Sequence, residues 1–552
     1  MAKEESAQEL ASLDGHGSKA GFKSKSYQLS QDRDRDELQR LGKKQVLRRN
    51  FAFMSILGFS CTVLITWEGA LILFLTGLSN GGSAGLIYGY LVVWIGNFAV
   101  FASLSELVSM APTSGGQYHW VAMLAPPRWS KFLSYITGWV TVLGWQASIA
   151  STCSLTGGLI QGLITLTQPD YQPKSWHGAL LFWAVVLFCV LINTVISKIL
   201  PKIEGLILIF HILGFFAVLI PLVKLSSKAD ASEVFTMFNN GGKWSSQGVS
   251  FLVGLIGNAF AFLGLDGAYH MSEEIQRPSV VVPRSIMLTL VINGTLGFGM
   301  IIAVLFCSGN LEVALESPTG FPFMEIFRQA TNSTAGAATM ASIITALAMC
   351  ANVGFLASAS RMLWSFARDR GVPGWRLLSK VEPRTMVPVW SIATITFISI
   401  LLSLIAIGSL TAFNIVVSLT VAALYISYFL AIALLLYRRL TGGIAHSSDS
   451  PTMLSNTTGT RLVWGPWRFG KFGIFINVFA LFYLALVLVF SFFPATSTVN
   501  AAKDMNYSSV LIVAVMSFSI VYYFTHARKT YEGPIVETDG TAAGSPTISS
   551  KM

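Results

Sequence analysis

The stretch Gly58-Phe-Ser-Cys-Thr-Val-Leu-Ile-Thr-Trp-Glu-Gly-Ala70 places an acid, a glycine and an alanine inside an otherwise apolar run. A second stretch, Phe260-Ala-Phe-Leu-Gly-Leu-Asp-Gly-Ala-Tyr-His270, repeats that order. Glycine tolerates backbone geometry that a helix forbids, and a charge within a bilayer span usually marks a pathway or a relay. The elements Glu68-Gly69-Ala70 and Asp266-Gly267-Ala268 therefore predict two membrane helices that unwind at corresponding points of two halves of the chain.

Ten further apolar runs accompany these two. A helix needs about 20 mostly apolar residues to cross a bilayer, and Gly, Pro and charged residues divide the chain into runs of that length. The runs are Phe51–Leu78, Gly85–Met110, Phe132–Leu166, Ala179–Ile196, Gly205–Val223, Val249–Tyr269, Ser285–Cys307, Ala335–Leu363, Pro388–Ile407, Ala412–Leu436, Gly473–Phe493 and Ser508–Phe524. The two unwound runs are the first and the sixth, as an inverted repeat of five plus five helices requires.

The composition also indicates a membrane protein. Of the 552 residues 53% are apolar and only 12% are charged, whereas a soluble domain has about 25% charged residues. We therefore predict an all-α integral membrane protein of about twelve transmembrane helices. The expected divisions are a disordered tail at 1–50, a transporter domain at 51–524 with repeats at about 51–223 and 249–436 and extra helices at 473–493 and 508–524, and a second tail at 525–552.

Lys and Arg are divided unevenly between alternate loops. Sixteen of them fall in the loops on the side of the N-terminus and six in the opposite loops, and such an excess marks the cytoplasmic side. Both termini are therefore predicted to be cytosolic, in the plasma membrane or alternatively the vacuolar membrane. The net charge of +10 fits this bias, and no basic stripe with interleaved aromatic residues suggests nucleic acid. The five cysteines form no CxxC pair, so we expect neither a metal nor a cofactor.

The chemistry of the two unwound stretches favours an amine. The carboxylates of Glu68 and Asp266 would attract an ammonium group, and freed backbone N–H groups of Thr66 to Gly69 would bind a substrate carboxylate. The other expected substrate-binding residues are Gly264 and Gly267, the aromatic residues Trp67, Trp145, Phe260 and Phe262, and the polar Asn352. Simpler interpretations stay open, namely acids that ion-pair across helices, aromatic side chains that only pack, and an interhelical hydrogen bond from Asn352.

Three separated motifs carry a resemblance to a known family. They are Ala111-Pro-Thr-Ser-Gly-Gly-Gln-Tyr-His-Trp120 after the second run, His270-Met-Ser-Glu-Glu-Ile-Gln-Arg-Pro278 after the sixth, and Arg361-Met-Leu-Trp-Ser-Phe-Ala-Arg-Asp-Arg-Gly371 after the eighth. In order and spacing they resemble the fungal amino acid/choline transporter branch of the amino acid–polyamine–organocation superfamily, which includes GABA and choline permeases. The resemblance extends over about 51–524.

That resemblance implies the LeuT-type fold, two inverted five-helix repeats plus two helices, and a secondary carrier that is often driven by protons. It places His211 where proton-coupled relatives often have a lysine. A histidine, with an ordinary pKa of about 6.5, suits protonation from an acidic medium, and a packing histidine is the open alternative. The expected proton-coupling residues are His211, Glu68 and Asp266. Where GABA and choline permeases tend to show Asn-Ser-Trp and an uncharged residue, this chain has Thr66-Trp67-Glu68-Gly69.

Acidic and basic residues near the inner ends of the runs suggest a gate. The expected gating residues are Glu106, Glu273, Arg277 and Arg361. Glu106 would pair with Arg361 or Arg368. Glu273 and Glu274 would form a solvated helix end or a gate to Arg277, and Glu204 would be a solvated or capping carboxylate. On the outer side, the sequons at Asn332 and Asn506 predict glycosylation.

The sequence thus predicts a secondary active transporter, coupled to protons, of amino acids or related small amines of the GABA or choline type. Two alternatives remain open: a transporter of a specialised fungal metabolite, such as a small alkaloid, or its precursor, and a nutrient sensor that does not transport. An enzyme is not expected, because no nucleophile or metal ligand accompanies the paired carboxylates. The expected partners are the small amine or amino-acid substrate, protons and the lipid bilayer.

Overall fold

Helices make up almost the whole of the described chain. A computed structural model describes residues 32–406, 410–446, 454–499 and 505–537, with the backbone alone at 405–406 and 410–414. No β-strand occurs in these residues. Ten helices in them are long and apolar enough to cross a membrane, and two shorter apolar helices, Gln247–Ala261 and Val389–Leu404, bring the number to twelve. The all-α architecture with about twelve crossings is therefore confirmed.

The helices follow the predicted runs closely. In chain order they are α1 (32–40), α2 (Phe53–Val63), α3 (Thr66–Ile72), α4 (Phe74–Met110), α5 (Gln117–Leu124), α6 (Pro127–Thr167), α7 (Ser175–Thr194), α8 (Leu200–Leu225), α9 (Ala231–Thr236), α10 (Gln247–Ala261), α11 (Gly267–His270), α12 (Pro278–Phe306), α13 (Leu311–Leu315), α14 (Pro322–Thr331), α15 (Thr334–Arg368), α16 (Trp375–Leu378), α17 (Val389–Ala406), α18 (Leu410–Leu440), α19 (Phe472–Ser491), α20 (Ser508–Tyr522) and α21 (Arg528–Thr530). We call the face of the bundle on which α2 begins the N-terminal face.

The first break lies at Leu64 and Ile65, between α2 and α3. The sequence predicts it at Glu68-Gly69, so the unwound point is a few residues earlier and Glu68 lies in the first turn of α3. Asn293 of α12 explains the position, because its Nδ2 donates to the carbonyl oxygen of Cys61 at 2.9 Å and also contacts that of Leu64. A side chain from another helix thus satisfies carbonyl groups that the interrupted helix leaves free.

The second break separates α10 from α11 and contains Gly264 and Asp266. Gly264 has a φ of +94°, and a Cβ atom there would fall 2.8 Å from the side chains of Val63 and Phe355. Only glycine combines that backbone conformation with so close an approach. Val63 is the last residue of α2, so the two breaks meet inside the bundle, as the repeated acid-Gly-Ala pattern predicts.

The predicted tails differ from the structure where it describes them. Over 32–50 the chain forms α1 and an extended segment, and Leu38, Leu41 and Leu47 are buried. The C-terminal stretch 525–537 buries Tyr531. Both stretches pack on the N-terminal face rather than extending as disordered polar chain. The rest of the predicted tails, 1–31 and 538–552, lies outside the described residues.

Asp369, just after α15, forms hydrogen bonds with both of these stretches. Its Oδ1 accepts a hydrogen bond from Lys43 Nζ at 2.6 Å and one from the backbone N–H of Ile535 at 3.0 Å. Its Oδ2 accepts one from the Tyr118 hydroxyl at 2.8 Å. Glu537 joins the two stretches directly, since its carboxylate accepts the N–H of Lys44 at 2.9 Å.

Candidate functional site

A small cavity of about 20 Å³, room for about one water molecule, lies where the two breaks meet. Its walls come from both broken helices, from α6 and from α15. The lining residues are Val63, Ile65, Gly69, Ile72, Leu73, Thr152, Leu155, Thr156, Phe260, Ala261, Leu263, Ala348, Ala351 and Phe355. Thr152 and Thr156 supply the polar side chains among them, and both hydroxyl groups donate to carbonyl oxygens one turn back in α6. The cavity is therefore an apolar chamber whose aromatic walls are Phe260 and Phe355.

Of the predicted substrate-binding residues, Gly69 and Phe260 line this cavity. Asn352 does not line the cavity but contacts its wall, because its Nδ2 donates to Thr156 Oγ1 at 2.7 Å. Phe262 packs away from it against Tyr90, with ring centroids 5.1 Å apart. The carboxylates of Glu68 and Asp266 are not part of the lining, and each is held by its own neighbours. The predicted picture of two carboxylates facing one ammonium guest is thus not the arrangement in this structure.

Glu68 is fully buried and faces α8. Its Oε1 lies 2.7 Å from Nδ1 of His211, which is also fully buried. The same imidazole nitrogen lies 3.3 Å from the indole N–H of Trp67. The structure thus brings together two residues that the sequence analysis assigns to proton coupling and a third that it assigns to substrate binding.

This contact requires a proton between Glu68 and His211. A carboxylate oxygen and an imidazole lone pair would repel each other at 2.7 Å, so either Nδ1 carries a hydrogen or the carboxyl group does. When Nδ1 has only its lone pair, the Trp67 N–H and the hydrogen of the Glu68 carboxyl group compete for it. Glu68 Oε2 and His211 Nε2 have no hydrogen-bond partner. When the carboxyl group holds the shared proton, Nε2 carries the hydrogen of the neutral imidazole; when Nδ1 holds it, Nε2 can take up a second proton.

Asp266 is held much more firmly. Its Oδ2 accepts a hydrogen bond from Gln117 Nε2 at 2.9 Å and one from the Trp145 indole N–H at 3.2 Å. Gln117 belongs to α5 and Trp145 to α6, so the acid ties the second break to two other elements. Trp145 is thus a partner of Asp266, and it does not line the cavity.

His270 lies on the same side of Asp266, one turn further along α11. Its Nδ1 lies 3.0 Å from the carbonyl oxygen of Ser114. A carbonyl oxygen only accepts, so Nδ1 carries the hydrogen and Nε2 is the nitrogen that can gain or lose a proton. Nε2 lies 3.6 Å from Asp266 Oδ2, too far for a hydrogen bond. The second break therefore also combines an acid with an imidazole, but without a shared proton.

The N-terminal face carries most of the ion pairs of the described chain. Glu106 bonds to the guanidinium of Arg439 on α18 and accepts the N–H of Phe469 at 2.7 Å. Arg361 Nε donates to Glu274 Oε1 at 2.8 Å. The pairing predicted for Glu106 with Arg361 or Arg368 is therefore wrong. The ends of α4 and α18 meet at this point, whereas Arg361 faces the segment after α11.

Glu273 pairs with Arg368, not with Arg277. Two nitrogens of that guanidinium lie 2.8 and 3.0 Å from the carboxylate, which also accepts the N–H of Ser114 at 3.0 Å. Burial by itself would raise the pKa of Glu273, but Arg368 and these hydrogen bonds outweigh it and lower the pKa. Arg277 is exposed, and its backbone N–H donates to Asp34 at 3.0 Å. The predicted solvated helix end is therefore a buried, ionised contact.

The two predicted glycosylation sites differ in access. Asn332 is exposed between α14 and α15 and has a left-handed backbone, with a φ of 48°. Asn506 is 8% exposed, and its Nδ2 donates to the carbonyl oxygens of Ser491 at 2.9 Å and Phe493 at 3.2 Å. Because Nδ2 is the atom that would carry a sugar, the prediction for Asn506 is wrong in this fold. Glycosylation of Asn332 stays a prediction.

Sequence reasoning missed three residues of the site. Asn293 satisfies the first break, and Gln117 and His270 surround the acid of the second. An amide side chain inside the apolar seventh run is a signal that could have identified Asn293, because such groups usually bond between helices. Gln117 and His270 lie within the quoted motifs, yet nothing local indicates that they face Asp266.

The known proteins that this chain resembles in sequence are named as permeases and transporters. A family model described as amino acid permease matches residues 51–516. The chain is 33% identical over 491 residues to a choline transporter of Saccharomyces cerevisiae, which covers 88% of this chain and 83% of that protein. It is 25% identical over 504 residues to amino-acid permease 2 of Neurospora crassa, covering 91% and 89%. A transmembrane transporter of Metarhizium robertsii, swnT, is 29% identical over 88% of this chain and 92% of its own.

A solved structure resembles the fold. The crystal structure of the Eremococcus coleocola manganese transporter, in complex with an aromatic bis-isothiourea substituted compound, covers 86% of this chain and 95% of its own with a TM-score of 0.52. The sequence identity is 14%, so the likeness concerns the fold alone. Together with the two breaks that meet in the bundle, it confirms the LeuT-type arrangement.

Proposed function

The chain belongs to the amino acid permease family and is a multi-pass membrane transporter, and from that premise we propose that it is a proton-coupled secondary carrier of amino acids or related small amines of the GABA or choline type. The observation that carries the proposal is the apolar cavity at the two breaks with the Glu68–His211 pair beside it. Substrate and proton would thus occupy neighbouring positions on the same broken helix.

The walls of the cavity favour a small substrate with an apolar body, and the cavity would have to widen to admit it. Phe260 and Phe355 offer two aromatic faces, and contact between such a face and an ammonium group contributes about 0.5–2 kcal/mol. Ile65, at the first break, belongs to the lining, so unwound backbone is available for the polar end of a substrate. The related choline transporter is consistent with a cationic amine.

The coupling would work through the proton that Glu68 and His211 share. Glu68 lies on α3, just after the first break, and His211 lies on α8, so their contact joins these two helices. Alternating access in this fold moves the broken helices against their surroundings. A movement of α3 would therefore separate the carboxyl group from the imidazole and change which of them holds the proton.

Placement in the plasma membrane with both termini in the cytosol is part of the proposal. Basic residues are concentrated on the N-terminal face, where Arg361, Arg368 and Arg439 form ion pairs. An excess of Arg and Lys favours the cytoplasmic side. Protease protection of a tag at each end, in intact and permeabilised cells, would test this orientation.

The function is tested by uptake in yeast that lacks its own permeases. Cells that express the full chain would be given radiolabelled choline, GABA and a panel of neutral and basic amino acids at several external pH values. We expect at least one probe to accumulate more at acidic pH and to be released by a protonophore. Uptake that needs sodium and ignores pH would contradict proton coupling, and saturable binding without accumulation would indicate a sensor.

A matched pair of variants tests the cavity. Phe260→Ala removes a wall of the chamber, whereas Phe262→Ala removes a neighbouring ring that packs on Tyr90. We expect Phe260→Ala to raise the KM for the transported probe by about twofold to thirtyfold, the equivalent of the cation–π contact. Phe262→Ala should change KM less at equal surface abundance. Equal effects would contradict the assignment of the cavity to substrate.

A further inference from the structure

Glu204 is a buried acid in the membrane-spanning part of α8 that the site described above does not use. Its side chain is 0% exposed, and neither carboxylate oxygen has a hydrogen-bond partner. No ion pair among the described residues includes it. The prediction of a solvated or capping carboxylate is therefore wrong. A carboxyl group in a bilayer span is costly and usually marks a pathway or a relay.

The surroundings of Glu204 offer no base or cation to satisfy it. Gly58 of α2 packs against it so closely that a Cβ atom there would lie 2.4 Å from the Glu204 carbonyl oxygen. Thr62, one turn further along α2, donates its hydroxyl to Gly58 O at 2.8 Å and also lies close enough to the Glu204 carboxyl group to interact with it. The close packing of α2 on α8 explains why the side chain of Glu204 is shielded from solvent.

Titratable groups on the elements packed against α8 are few or already engaged. They are Cys61 on α2, Glu68 on α3, Arg284 on α12, Glu325 and Arg328 on α14, Cys350, Arg361 and Arg368 on α15, and Lys198 in the turn before α8. Arg284 and Lys198 are exposed, Glu325 bonds to Arg328, and the two arginines of α15 bond to Glu274 and Glu273. The titratable group of α8 itself that shares the buried face with Glu204 is His211.

Glu204 and His211 are seven residues apart, which is about two turns and about 10 Å along one face of α8. His211 contacts α3, beyond the first break, and Glu204 packs on α2, before it. Leu208 lies between them on the same face, where it packs with Leu57 and Cys61 of α2. An apolar seal thus separates the two titratable groups in this conformation.

We propose that Glu204 is the second proton site of the transport cycle, which receives the proton from the Glu68–His211 pair and releases it at the N-terminal face. This inference rests on the proton coupling proposed above. When α2 moves away from α8, the seal of Leu57, Cys61 and Leu208 opens and water enters. Glu204, a neutral acid while it is buried without a charged partner, then loses its proton to water at the N-terminal face. The imidazolium of His211 gives up the hydrogen of Nε2, which has no partner in the closed state, through that water to the Glu204 carboxylate so formed.

The charges balance at each step. His211 returns to the neutral imidazole, and Glu204 becomes a neutral carboxylic acid. The proton that Glu204 releases first leaves at the N-terminal end of α8, four residues away at Leu200, so one proton has moved from His211 to that face when the seal closes over the neutral acid. Glu204 would therefore matter for net movement of protons and much less for substrate exchange, in which no proton has to leave.

The test uses the full chain in liposomes that contain a pH-sensitive dye. The probes are choline, GABA and a mixture of neutral amino acids, and two rates are measured: accumulation driven by an acidic exterior and exchange against the same unlabelled probe. The variants are Glu204→Gln and Glu204→Asp, which keeps the carboxyl group. The control is Glu316→Gln, which neutralises an exposed acid outside the membrane-spanning helices.

We expect Glu204→Gln to lose driven accumulation and internal acidification about tenfold or more, while exchange stays within about threefold of the unaltered chain. Glu204→Asp should recover part of the driven rate, and Glu316→Gln should behave as the unaltered chain. If Glu204→Gln accumulates the probe normally, or if it loses exchange to the same extent, the relay is overturned. If the unaltered chain shows no acid-driven accumulation, the proposed function falls and the relay with it.

Discussion

The two breaks contain the same acid-Gly-Ala element, yet they hold their acids in different ways. Glu68 has one close contact, to an imidazole on a neighbouring helix, and its second oxygen has no partner. Asp266 accepts two hydrogen bonds on one oxygen, from Gln117 and Trp145, and its other oxygen likewise has no partner. A group that must take up and release a proton needs a contact that either charge state can keep. The first acid meets that requirement, and the second is suited to fixing the geometry of its break.

The histidines next to the two acids differ in the same way. His211 shares a proton with Glu68 at 2.7 Å, whereas His270 is oriented by Ser114 and stays 3.6 Å from Asp266. Sequence symmetry between two halves of a transporter therefore does not imply symmetry of chemical role. Substitutions of Glu68, Asp266 and His119 test that difference.

Glu68→Gln should have the largest effect on coupling. The amide keeps the shape of the side chain but cannot exchange a proton with His211, so we expect acid-driven accumulation to fall about 100-fold. Surface abundance and the midpoint of thermal unfolding should change little, because only one hydrogen bond is altered. Uptake by the variant at several pH values measures this. Undiminished acid-driven uptake would remove the first break from the coupling mechanism.

Asp266→Asn should instead weaken the fold. An amide oxygen in the place of Oδ2 can still accept both N–H groups, but the charge that strengthens both bonds is lost and an NH₂ donor takes the place of the acceptor Oδ1. We expect the free energy of unfolding to fall by about 1–3 kcal/mol, seen as a lower midpoint of thermal denaturation of the purified protein. If Glu68→Gln lowers the midpoint more than Asp266→Asn does, the contrast between the two acids is wrong.

His119→Gln should have the smallest effect. This third buried imidazole lies in α5, outside the membrane-spanning helices, and burial together with the charge of Lys43 lowers its pKa to about 4. His119 is therefore already neutral between about pH 5 and 7, and a neutral amide can replace its hydrogen bond to the carbonyl oxygen of Asn456. The pH profile of uptake should be unchanged over that range. A shifted profile would show that coupling is not confined to the breaks.

The number and order of the helices could be predicted from sequence because the lipid imposes long apolar runs on each crossing. The position of the first break could not, because it depends on Asn293 of a distant helix and not on the local glycine. The partner of Glu106 was missed for a related reason. Many arginines occur near the N-terminal face, and only the packing of α4 on α18 selects Arg439. Polar composition likewise concealed the buried leucines of 32–50.

The fastening of both chain ends at Asp369 has a practical consequence. Lys43 and Ile535 are almost five hundred positions apart in the sequence but bond to one carboxylate oxygen at the end of α15. Any movement of that end of α15 would stretch or release the segments 32–50 and 525–537 together. A pair of spectroscopic reporters, one placed in each segment, would therefore follow the opening of the N-terminal face in real time. A chain trimmed to 51–524 would lack both segments and could not carry the reporters.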